Sequence, residues 1–280
     1  MPKEKMDDGV ELNYRIDDFI DPWIEEDEKD TILMHHGFAR SMKWWIQWVP
    51  ALSRKYRVLR YDCRGCGESS IPPEGSEWSA QRLVKDALVL IDQLGIRKIH
   101  WVGFESGGIF GIVFALTYPD RIKSLILPNT PTSLPKENNP QAKQTYAQEQ
   151  QDPATAIERL GLREWLRRSF SNRMDLSKAD PKMLEWHLNE HSKTTQNVAV
   201  SLMRFVQVAD VSERLKDIKV PTLLMVGDKS PICPLDQQRF MEKRIPNSKL
   251  VIFEGYGQGI HMLIPERCTD EVMTFLRNLG

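Results

Sequence analysis

The chain predicts an α/β protein, a mostly parallel sheet with helices on both faces and one helical insertion. Three observations carry this. With 280 residues, 41% of them hydrophobic, the chain can bury one large core, and α/β chains of this length are commonly a single domain with an insertion. Short apolar runs bounded by turn residues alternate with helical periodicities. Between Pro131 and about Lys219 that alternation stops, and it resumes at "KVPTLLMVGDKSP". Residues 1–132 and 217–280 are therefore assigned to the core and residues 133–216 to a helical cap.

In chain order, the apolar runs place strands at 10–16, 31–34, 57–61, 98–102 and 124–127, then at 222–226 and 250–253 after the insertion. Helices fall between them. The clearest periodicities span 79–94, 106–118 and 235–243, with a last helix from about Pro265. The insertion opens on the Pro/Asn-rich "TPTSLPKENNPQ" and continues as a charged, Gln-rich helical segment.

A formal net charge of -1 gives no basic face for nucleic acid and no polybasic membrane anchor, so a small-molecule ligand is the expected partner. The charged start "MPKEKMDDGVELNYRIDD" lacks a signal peptide's apolar core, and no run of about 18 apolar residues occurs. A soluble, cytoplasmic protein is the expectation. Cys63 and Cys66 form a C-x-x-C, but no second Cys/His pair with ligand spacing follows, and the structural reading is preferred over a redox pair or zinc.

Four segments carry the chemistry. "LMHHGFARS" runs a strand into His36-Gly37, "YDCRGCGESS" has the form D-x-R-G-x-G-x-S, and "WVGFESGG" has the glycine spacing of a nucleophile elbow. "VGDKSPICP" and "GYGQGIHMLIPE" follow the last two strands. In this order they resemble the capped, esterase- and haloperoxidase-like α/β-hydrolases over nearly the whole chain. The resemblance implies an eight-stranded type of sheet and no metal or organic cofactor. It also implies an oxyanion hole from the amides of Phe38 and Ser106, with His36 supporting the loop.

The chain departs from that family at the triad. An elbow needs small residues two before and two after its apex; Gly103 and Gly107 flank Glu105 in that way, whereas a Ser106 apex would put Phe104 in a crowded position. Counting from the family pattern, the acid position holds Ser230 and the histidine position Gln258. A displaced set of Ser106, Asp228 and His261 is the alternative. It requires offsets in three loops to cancel, because triad hydrogen bonds must form at about 3 Å.

Three roles are open to Glu105. As a nucleophile it would form an ester that Gln258 cannot help hydrolyse, unless His261 reaches inward with Asp228 behind it. As a general base it avoids that trap, with the two amides holding a developing oxyanion and Gln258 orienting substrate or water. As a plug it would accept hydrogen bonds from its own oxyanion hole, leaving an inactive protein that binds a ligand or partner. The preferred expectation is a hydrolase, lyase or isomerase acting on a small carbonyl- or ester-like compound.

The remaining candidates carry bland readings beside sharp ones. His35 and His100 are expected to be structural. His187 and His191, at i, i+4, have zinc-like spacing, but a solvated helix face is preferred. Trp44, Trp45 and Trp48 read as core, with 44 and 45 facing differently. Trp165, Phe170, Trp186 and Met203 are assigned to the ligand-facing side of the cap, and Arg40 to a substrate carboxylate.

Overall fold

The computed structural model describes residues 2–133 and 140–279. Eight strands form one sheet: β1 (Lys3–Lys5), β2 (Glu11–Asp17), β3 (Thr31–His35), β4 (Arg57–Tyr61), β5 (Ile99–Gly103), β6 (Ile122–Pro128), β7 (Thr222–Gly227) and β8 (Ser248–Phe253). Their spatial order is β1-β2-β4-β3-β5-β6-β7-β8, antiparallel up to the β2–β4 pair and parallel beyond it. Every strand expected from the sequence forms, with ends that move by at most two residues. β1 was not anticipated, because "KEK" has no apolar signal; its backbone pairs with β2 at the sheet edge, where lysine is a common occupant.

Alternate residues on the central strands face opposite sides of the sheet. Leu33, Leu59, Trp101 and Leu125 join one apolar cluster, and Ile32, Val58, Val102 and Ile126 join another. The helix Ala80–Gln93 begins at Ser79, whose hydroxyl accepts from the amide of Arg82. The helix Ser106–Thr117 is apolar on nearly all faces, as a helix packed between other elements must be. Leu235–Arg244 and Pro265–Arg277 form as expected.

Among the described residues, five α-helices lie between β6 and β7: Pro140–Ala147, Pro153–Leu160, Leu162–Arg173, Pro181–His191 and Gln196–Val206. Two of them start on Asp-Pro, where Asp152 and Asp180 cap the helix and the proline takes a position that needs no donor. Residues 134–139 of the Pro/Asn-rich "TPTSLPKENNPQ" lie outside the described residues. Among the described residues no helix is long and apolar enough to cross a membrane.

Strand order and register place the site. The chain leaves β3 for β4 on one side, and β5 lies on the other, so the loops after β3 and β5 diverge from one crevice. His35 pairs with Gly103 at the carboxyl ends of these strands, which sets "HGFA" against the glycines around Glu105. Gly227 pairs with Phe253, and the loops carrying Ser230 and Gln258 leave the sheet side by side.

Candidate active site

Glu105 sits at the apex of the turn from β5 into the helix Ser106–Thr117, with φ 55° and ψ -120°. A positive φ at a residue with a side chain is strained and must be enforced by its surroundings. The enforcement is visible on both sides. A Cβ on Gly103 would run into the carbonyl of Gly107, and a Cβ on Gly107 would lie 2.5 Å from the carbonyl oxygen of His36. Trp101 Nε1 donates to the Gly107 carbonyl at 3.0 Å, and Thr130 Oγ1 donates to that of Gly103 at 3.0 Å. Glu105, not Ser106, therefore occupies the apex.

The neighbouring loop is held just as firmly. His36 Nε2 accepts from the amide of Cys63 at 3.0 Å, which leaves Nδ1 to donate to the Gly37 carbonyl at 2.8 Å. Its pKa is lowered by burial, so it is a neutral strut. Asp62 accepts from the amide of Met42 at 2.7 Å and from that of Glu68 at 2.9 Å, tying the D-x-R-G-x-G loop to the segment after Phe38. Arg64 is locked by two bonds of 2.6 Å to Asp86. Among the described residues the amides of Phe38 and Ser106 make no hydrogen bond, so both donors of the expected oxyanion hole are free.

Ser230 and Gln258, the residues expected at the acid and histidine positions, are joined to each other and are both neutral. Ser230 Oγ donates to Gln258 Oε1 at 2.6 Å and accepts from the amide of Cys233 at 3.0 Å; both side chains are buried. Gln258 Nε2 is left without a partner. The displaced set does not assemble. Asp228 accepts from the amide of Gly255 at 2.7 Å and pairs with Lys229. His261 packs its ring on Phe104 at 3.8 Å with both ring nitrogens unpartnered. Ser106, Asp228 and His261 thus share no hydrogen bond, because the Phe104 and Trp45 rings hold the imidazole in an apolar layer.

Around Glu105 the charges are unusual. Its carboxylate lies 3.6 Å from Arg40 Nη2 and 3.8 Å from Arg173 Nη1, all three side chains being buried. Oε2 has no hydrogen-bond partner. A Cβ built on Gly37 would come 2.9 Å from that oxygen, so only glycine allows the carboxylate its place beside the loop. A cavity of about 10 Å³, lined by Phe38, Glu105, Ser106, Tyr146, Arg173, Met203 and Val206, adjoins it.

Comparisons with known proteins give the family and agree with the fold. A family model described as alpha/beta hydrolase fold matches residues 30–264. The chain is an α/β-hydrolase. It is 30% identical to a proline iminopeptidase of Lactobacillus helveticus, over 96% of this chain and 94% of that one. It is 27% identical to a putative carbamate hydrolase of a Caulobacter species, covering 89% and 91% of the two chains. Among solved structures it superimposes on a hydrolase from Pseudomonas aeruginosa with a TM-score of 0.83 at 26% identity, covering 98% and 97%. The enol-lactonase of Burkholderia xenovorans shares the fold at a TM-score of 0.84 and 24% identity, over 99% and 100%.

Several residues of this α/β-hydrolase stand elsewhere than the sequence reading put them. His187 and His191 are buried, not solvated: their rings lie 5.1 and 4.8 Å from Trp44, and burial lowers both pKa values, His187 to about 3. Trp186 is half-buried against Trp44 at 4.7 Å, and Trp165 lies behind Arg173; neither lines the small cavity, whereas Met203 does. Phe170 packs on His187 at 5.2 Å. Trp45 and Trp48 meet edge to face in the core while Trp44 faces the inserted helices, the split expected of neighbours.

Arg173, Tyr146 and Cys233 were missed. For Arg173 a signal existed: Trp165, Ser169 and Arg173 fall at i, i+4 and i+8 on one buried helix face, where an arginine is out of character.

Proposed function

We propose that this α/β-hydrolase is an enzyme that acts on a small carbonyl- or ester-like compound with Glu105 as general base, without a serine nucleophile. One observation carries the reading. Glu105 holds the strained apex while its Oε2 is unbonded and the amides of Phe38 and Ser106 are unspent. A carboxylate that plugged the oxyanion hole would accept from those amides.

In the proposed reaction Glu105 takes a proton from water as the water oxygen bonds to the carbonyl carbon, and the carbonyl electrons move to an oxyanion held by the two amides. Collapse expels the leaving group, which recovers the proton from the Glu105 carboxylic acid. Gln258 Nε2, aimed by its bond to Ser230, orients water or the carbonyl by donating a hydrogen bond. Base catalysis is preferred over nucleophilic attack because neither Gln258 nor the apolar-packed His261 is placed to hydrolyse an ester on Glu105. The helices between β6 and β7 act as a cap that keeps bulk water away. The relatives named for peptide and carbamate hydrolysis support the carbonyl chemistry.

A second reading has its own support. Two guanidiniums hold the carboxylate and the adjoining cavity is small, as in a protein that only binds a ligand. Turnover of activated esters, lactones, epoxides and β-keto acids, with intact-protein mass spectrometry, separates the two. Turnover that vanishes in Glu105→Gln without a covalent adduct is the expected result. A trapped adduct would replace the base by a nucleophile, and inactivity of the wild type across the panel favours the binder.

A further inference from the structure

The chamber beside Glu105 has more buried positive charge than negative. Arg40 and Arg173 face one carboxylate at 3.6 and 3.8 Å. The nearby histidines add no charge, since burial lowers the pKa values of His187, His191 and His261. Glu190, a buried acid on the helix Pro181–His191, is occupied by Lys43 and Lys193.

The guanidiniums also have donors to spare. Arg40 Nε and Nη1 and Arg173 Nη2 are buried without a partner, and burial pushes the Arg40 pKa down to about 10. An uncompensated buried cation and unmade hydrogen bonds each cost folding energy, so their retention points to something that completes them on binding. Both guanidiniums are also oriented. Arg40 lies over Phe104 at 4.5 Å, and Arg173 lies against the rings of Trp165 and Tyr146, at 4.5 and 4.8 Å. A planar fork held on aromatic faces suits a carboxylate carried on an apolar skeleton.

We propose that Arg40 and Arg173 together form the binding site for a carboxylate group of the ligand, which takes them over from Glu105 as it enters. This rests on reading the chamber as the ligand site, though not on its turning anything over. The side chains must swing, since the present cavity of about 10 Å³ has room for little more than one water.

Calorimetric titration with benzoate, and with benzamide as its neutral isostere, tests the site without any reaction. Benzoate is expected to bind at least about tenfold more tightly, a preference lost in Arg173→Met and in Arg40→Met. Glu105→Gln, which removes the competing carboxylate, is expected to tighten benzoate by about threefold or more and to leave benzamide unchanged. The wild-type and Glu105→Gln titrations decide the matter even if the arginine variants do not fold. Equal affinities for the two probes, no binding of either, or a preference that survives both arginine substitutions would overturn the proposal. Benzoate binding in a protein that turns over no compound would remove the catalytic reading and keep the site; turnover of neutral esters without the preference would do the reverse.

Discussion

Glu105 is a carboxylate at the strained apex of the elbow, and its chemistry is set by what surrounds it within a few ångströms. Removing its charge in Glu105→Gln is expected to lower turnover by roughly 10²–10⁴-fold, the range of a positioned general base. The same change leaves Arg40 and Arg173 without a counter-ion and is expected to cost about 3 kcal/mol in urea unfolding, so rates belong at a temperature where both forms are folded. Ser230→Ala tests the second pair. It removes the 2.6 Å bond that aims Gln258. Turnover is expected to fall by roughly tenfold, with an unfolding cost of about 1 kcal/mol. Unchanged turnover in Ser230→Ala would take Gln258 out of the mechanism.

At the scale of the element, the elbow and the loop after β3 are two turns that interlock through glycine. The two glycines fail differently when given a side chain. On Gly103 a Cβ meets the backbone of Gly107, which cannot retreat, so Gly103→Ala is expected to cost about 3 kcal/mol or more. On Gly37 it meets Glu105 Oε2 at 2.9 Å, the end of a side chain that can turn away. Gly37→Ala is expected to cost less than about 1.5 kcal/mol while lowering turnover by tenfold or more, because the carboxylate leaves its place. Paired denaturation curves and initial rates check both, and a Gly37→Ala enzyme of full activity would show that this position of the carboxylate is not the working one.

Across the whole molecule, most of the histidines are buried in their neutral form. Burial, aided by His36 for His35 and by the arginines for His187, takes both from the ordinary value of 6.5 to about 3, and His191 and His261 lie well below 6.5. The folded chain therefore binds these protons more weakly than the unfolded one. Their contribution to stability is complete above pH 6.5 and is lost as the pH falls from 6.5 toward 3. At pH 5 the loss is on the order of 2 kcal/mol for each of His35 and His187. Urea midpoints are expected to drop steeply between pH 7 and pH 5; a flat profile there would mean that these histidines are not buried neutral.

The sequence by itself determined the α/β class, the positions of every strand but the edge strand β1, and the apex of the elbow. Alternating apolar runs and glycine spacing act through contacts between residues close in the chain, where periodicity and steric exclusion leave few choices. The neutral Ser230 and Gln258 pair was also legible, because each falls at a fixed distance from a turn or a proline. Only the tertiary structure decided what faces Glu105. Arg173 is 68 residues away on a helix between β6 and β7, and Arg40 reaches the same carboxylate from the loop after β3. His187 and His191 looked like a solvated face until Trp44 covered them, and His261 looked like a relay until Phe104 claimed its ring. Such meetings depend on how whole elements pack, and no short-range pattern encodes the distance between two helices.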